Sequence, residues 1–158
     1  MKKILPILLI AILSLSICAC GNEETATDQE PAAEEPAEIV IVDNETCTFK
    51  ITEASVDETW GYILKVYVEN KTDQNLNISW DNAVVNGFLC DPCWGMELPA
   101  GAKSNEEIIF YNESLAENGI NPADVNSIDF TLMVHDSDDW EADFIINEQF
   151  SITTDTLK

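Results

Sequence analysis

Beyond residue 46 the chain repeatedly alternates apolar with polar positions, the period of a strand with one dry and one wet face. Cys47, Phe49 and Ile51 alternate with Thr48, Lys50 and Thr52. Tyr62, Leu64, Val66 and Val68 alternate with Ile63, Lys65, Tyr67 and Glu69, and Leu76, Ile78 and Trp80 keep the same rhythm. Further on, Ile128, Phe130, Leu132 and Val134 oppose Asp129, Thr131, Met133 and His135, while Trp140, Ala142, Phe144 and Ile146 predict one more strand. Turn chemistry separates these runs. Asn70 to Asn75 is a polar break, Asn86-Gly87 between Val85 and Phe88 is a two-residue hairpin signal, and Pro99-Ala100-Gly101 precedes a strand from about Glu106 to Tyr111. The one helical signal is a single turn over Ser114 to Asn118, closed by Gly119. Seven or eight short strands of this kind predict an all-β fold, an antiparallel two-layer sandwich of immunoglobulin-like architecture. Residues 39 to 158 are enough for one core.

The first 38 residues follow a different pattern. Lys2 and Lys3 precede an apolar run from Ile4 to Ile17 that carries no charge and ends in Ile17-Cys18-Ala19-Cys20. A basic start and a short apolar middle make an export signal, and the run falls short of the roughly 20 apolar residues a membrane-spanning helix needs. The tetrad resembles the lipobox of bacterial lipoproteins, with Cys18 at a position where Ala or Ser is usual. The resemblance implies that residues 1 to 19 are removed and that Cys20 carries a thioether-linked diacylglycerol. Such an anchor would hold the protein at the outer face of the cytoplasmic membrane, with the remainder extracellular.

Charge then narrows the partners. All 30 acidic residues follow Cys20 together with five of the seven lysines, and there is no arginine, so the part after the lipobox carries −25. A chain so acidic is repelled by phosphate backbones, which excludes nucleic acid. Gly21 to Glu38 has neither an aromatic nor a branched aliphatic residue and no cation. That composition predicts a disordered acidic tether over 20–38, and 18 residues at roughly 3.1 Å each reach about 55 Å.

The stretch from Val66-Tyr67-Val68-Glu69-Asn70-Lys71-Thr72-Asp73 through Ser79-Trp80-Asp81-Asn82 and Val85-Asn86-Gly87 to Asp91-Pro92 and Pro99-Ala100-Gly101 resembles small immunoglobulin-like lipoproteins of Firmicutes. The function of these proteins is undefined. The similarity extends over about residues 47 to 152 and rests on turn and core features, so it implies a fold and no activity.

Several groups are candidates for chemistry. Cys90-Asp91-Pro92-Cys93 has the spacing of a redox or metal pair, and outside the cytoplasm a disulfide between Cys90 and Cys93 is the leading reading. Pairing of Cys47 with either cysteine stays open, as does a zinc site of Cys47, Cys90, Cys93 and His135. Against zinc, Cys47 reads as a small core residue and His135 as a solvated strand end. Asp136, Asp138, Asp139, Glu141 and Asp143 gather oxygen ligands that could take calcium, although no cofactor is expected, since the EF-hand order is broken by Trp140 and no glycine follows. Trp80 and Trp140 fit core positions, whereas Trp60 and Trp94 lie beside loops as candidates for stacking on a sugar. One histidine, no phosphate loop, no Gly-x-Ser-x-Gly and no His-Glu-x-x-His argue against an enzyme. Carboxylate pairs suited to glycoside cleavage are too numerous for any one to be singled out. The sequence thus leads to a lipid-anchored, non-catalytic surface domain that binds a protein or envelope ligand. Its rival is a calcium- or carbohydrate-binding module.

Overall fold

The computed structural model describes residues 37–139 and 141–157. The signal segment, Cys20, the expected tether as far as residue 36, and Trp140 lie outside the described residues, whereas Glu38 at the end of that tether is in place and pairs with Lys50. The fold is all-β, with nine strands among the described residues in two antiparallel sheets. In the first sheet, β1 (Ile39–Asp43), β2 (Cys47–Asp57), β3 (Gly61–Asn70) and β7 (Lys103–Tyr111) lie in the order β1-β2-β3-β7. In the second, β5 (Phe88–Leu89), β4 (Leu76–Val85), β8 (Ser127–Asp136) and β9 (Ile146–Thr153) lie in that order, and β6 (Gly95–Leu98) also pairs with β4. β3 crosses to β4 and β7 crosses to β8, so each sheet is completed by a strand that returns after a visit to the other. This Greek-key weave is the immunoglobulin-like arrangement expected from the alternation.

The sheets close on their inward rows. Phe49, Ile51, Leu64, Val66 and Val68 of the first meet Leu76, Ile78, Trp80, Phe130, Leu132 and Val134 of the second, all buried. Trp80 stacks on Phe130 with ring centroids 3.6 Å apart, and Phe49 reaches across the sandwich to Trp80 at 6.1 Å and to the edge of Trp94 at 5.8 Å. The hairpin turn forms as predicted, with Asn86 and Gly87 both at positive φ and Val85 facing Phe88. A single-turn helix, α1 (Asn112–Glu117), follows β7. Gly119, at φ 71°, ends it by donating to the Ala116 carbonyl, while Ile120 donates to that of Leu115.

Two segments differ from the expected pattern. Residues 137–139 and 141–145 form no strand, and Phe144, read as inward, is half exposed. Carboxylates there take backbone hydrogens for turns: Asp136 accepts from the Asp138 amide at 2.9 Å and Asp139 from the Glu141 amide at 3.0 Å. Such local bonds compete with a ladder. The last strand begins instead at Ile146 and buries Ile146 and Ile152. At the other end of the chain's folded part, β1 adds an edge strand that the alternation did not announce.

The loops at one end of the sandwich converge on Asn70, 1% exposed. Its amide nitrogen donates to the carbonyls of Gln74, Leu98 and Pro99 at 2.8, 3.0 and 3.1 Å, and its amide oxygen accepts from the backbone and hydroxyl of Thr72. Removing this side chain strands buried acceptors, at about 1–3 kcal/mol per unsatisfied group. We expect Asn70→Ala to lower the unfolding free energy by about 3 kcal/mol in urea titration, with an unchanged dependence on denaturant concentration.

Candidate functional site

The outer face of the first sheet carries the site. Because Phe49, Ile51, Val66 and Val68 must point inward, Thr48, Lys50, Tyr67 and Glu69 point outward, and the ladder fixes their neighbours. Lys50 stands opposite Tyr67, which stands opposite Asn105 of β7; Thr48, Glu69 and Lys103 form the next row. Two β-bulges shape this face. The β2–β3 register shifts between Ile51 and Glu53, leaving Thr52 as an extra outward residue whose hydroxyl donates to the Lys65 carbonyl at 3.2 Å. A second shift, between Val40 and Val42, lies in the adjoining β1. Bulges bend strands and re-aim side chains.

Here the sheet holds an open groove of about 480 Å³, walled by Glu38, Asp43, Thr48, Lys50, Thr52, Tyr67, Glu69, Lys71 and Asn105. A smaller hollow of about 250 Å³ continues it past Thr52 and Asn105 to Lys65, Val66, Glu106 and Glu107. The larger volume lies within the roughly 300–1,000 Å³ usual for small-ligand sites.

All four lysines among the described residues stand on this face, each beside a carboxylate. Lys50 lies 3.3 Å from Glu38, Lys65 2.9 Å from Glu53, Lys71 2.6 Å from Asp43 and Lys103 3.0 Å from Glu69. Exposed pairs of this kind contribute only about 0–1 kcal/mol, so their meaning lies in where the charge is placed. Hydrogen bonds from Lys71 and then Thr48 hold the Asp43 carboxyl below its usual range. Lys103 and then the Tyr67 hydroxyl, 3.0 Å away, do the same for Glu69, which in turn raises Lys103. The outer face of the second sheet, with Asn77, Ser79, Asp81, Asp129, Thr131 and Gln149, carries no lysine.

The residues singled out from the sequence lie elsewhere. Cys47, Cys90 and Cys93 are free thiols in this structure: Cys47 is buried in the core, Cys90 is buried with its sulfur 3.4 Å from the Asn118 amide, and Cys93 is exposed. Burial pushes the Cys47 thiol up to about 11 and also raises Cys90, opposite to the shift that activates a redox thiol. Among the described residues no three His, Cys, Asp or Glu side chains converge as metal ligands, so neither the zinc set with His135 nor the calcium set of Asp136, Asp138, Asp139, Glu141 and Asp143 is gathered. Asp138, Asp139, Glu141 and Asp143 are exposed.

His135 corrects the reading of a solvated strand end. It is 9% exposed, its ring edge-on to Phe144 at 5.6 Å, because the loop after β8 turns back over it through the Ile145 amide and Val134 carbonyl. Trp94 packs against Phe49 and the core rather than standing free, whereas Trp60 is half exposed, 6.4 Å from Tyr111. Neither tryptophan lines the groove; its aromatic wall is Tyr67. The sequence carried a signal for this face in the wet side of each strand, Thr48-Lys50-Thr52 beside Lys65-Tyr67-Glu69, where nearly all the cations after Cys20 collect.

Neither a known protein family nor a curated protein matches the chain.

Two outcomes follow from this geometry. A carboxyl lowered in the folded state stabilises it above the unfolded pKa and loses that effect as pH falls through the folded value. The stability deficit of Asp43→Asn relative to wild type should therefore be full above the ordinary value of 3.8 and vanish on further acidification, followed by melting temperature against pH. In the reduced native protein at pH 8, iodoacetamide should modify Cys93 ahead of Cys47 and Cys90, which react only in urea, as read by peptide mass spectrometry.

Proposed function

We propose that this chain is a lipid-anchored extracellular binding module, without catalytic activity, that holds a protein or envelope ligand on the outer face of its first sheet. The observation that carries the binding role is the collection of all four described lysines on one sheet face, where Lys50 and Lys71 line an open groove of about 480 Å³ and Lys65 lines the hollow beside it. On a chain carrying −25 after the lipobox, cations scattered at random would sit on both sheets. Their collection on one face, beside two bulges and an aromatic wall, makes a surface chemically distinct from the rest.

Support for the anchor comes from the sequence alone: Lys2, Lys3, the apolar run and Ile17-Cys18-Ala19-Cys20. No helix among the described residues is long and apolar enough to cross a membrane. In this reading the acidic stretch between Cys20 and Ile39 spaces the sandwich from the bilayer, and the oxidising medium there lets the exposed Cys93 bridge to the buried Cys90. Loss of two hydrogens from the unreduced peptide containing both cysteines tests the bridge.

The anchor is tested with the full chain expressed in a bacterial host fed an alkyne-bearing fatty acid. Wild type should take up label, lose residues 1 to 19 and sediment with membranes. Cys20→Ala should stay unlabelled. An unlabelled, uncleaved wild-type chain in the cytosol overturns the anchor.

A further inference from the structure

The geometry points to a neutral glycan chain as the ligand of the groove across β2, β3 and β7, an assignment that rests on the binding role proposed above. Charge balance is the first argument. Lys50, Lys71 and Lys65 each already face a carboxylate at 2.6 to 3.3 Å. A charged ligand of either sign would break one of these pairs or leave a charge uncompensated. A sugar hydroxyl does neither: it donates to the carboxylate and accepts from the ammonium of the same pair, so the charge balance is unchanged. Anionic glycans and phosphate-bearing polymers meet, in addition, the repulsion of the whole acidic domain.

Shape and lining agree. The two hollows meet at Thr52 and Asn105, giving a site longer than one ring and running across the strands. A peptide added as a further strand would run along a sheet edge, whereas this groove crosses the interior of the sheet. Its walls offer hydroxyls, an amide, carboxylates and ammonium groups, with Tyr67 as the aromatic surface and no outward aliphatic side chain among the lining residues. Tyr67 is held between Lys50 and Asn105 by the ladder and tied through its hydroxyl to Glu69, so little ordering is left for the moment of binding. A fixed ring beside paired donors and acceptors suits the apolar face and hydroxyl rim of a pyranose.

The test applies the full-length chain, purified in detergent, to arrays of neutral oligosaccharides, anionic oligosaccharides and peptides, and in parallel to isolated bacterial envelopes. Binding to neutral oligosaccharides is expected, weakened about tenfold, or roughly 1.4 kcal/mol, by Tyr67→Ala and by Asn105→Ala. Tyr67→Phe should retain most of it. Unchanged melting curves separate loss of contact from loss of fold, and Asn105→Ala, on an exposed strand position, covers the case in which Tyr67→Ala unfolds. Neutral-glycan binding indifferent to both alanine variants overturns the site. Binding only to anionic glycans or peptides overturns the ligand class and leaves the binding role standing. No binding to any array or envelope overturns both.

Discussion

Closure of two sheets over one apolar layer dictates where everything else stands. Once the Trp80–Phe130 stack and the flanking Phe49, Val66 and Val68 are committed to the interior, the period of two leaves no freedom on the outside. Lys50 and Tyr67 face outward because their neighbours Phe49, Ile51, Val66 and Val68 are buried, and the ladder brings Asn105 into the same row. The outer face is the residue of a decision made in the core. This is why a surface with weak individual contacts can still present a defined arrangement of groups.

Alternation made the sandwich legible in the sequence, since β3 and β8 carry unbroken dry rows and β2 and β4 carry them as far as a bulge. It failed where local chemistry competes. Asp136 and Asp139 turn the backbone on themselves, so the apparent period of two is not realised at Ala142 and Phe144. β1 was missed because five residues at the end of an acidic stretch, Ile-Val-Ile-Val-Asp, give no wet face to recognise. The groove was legible only in part. Which residues face outward could be read; which of them meet depends on pairing register, and the shift at Thr52 has no mark in the amino-acid string. Tryptophans drew attention by their size, yet size favoured burial for Trp80 and half-burial for Trp94.

Electrostatics divides the molecule unevenly. The outer face of the second sheet and the loop after β8 carry carboxylates among neutral groups and no lysine, while the first sheet alternates carboxylate with ammonium at close range. The first arrangement repels anions and like molecules; the second is nearly self-compensating. The groove carries low net charge within a strongly charged body, and β7, an edge strand whose outward residues include Lys103 and Glu107, is guarded against pairing with other chains.

The bulge at Thr52 has an evolutionary corollary. With that residue deleted, Ile51 would still oppose Val66 and Glu53 would still oppose Lys65, so no interior side chain would change sides. The partition between the two hollows therefore hangs on a single codon that the hydrophobic interior does not require. Selection can redraw the contour of this surface by gaining or losing one residue there, at no cost to the architecture beneath it.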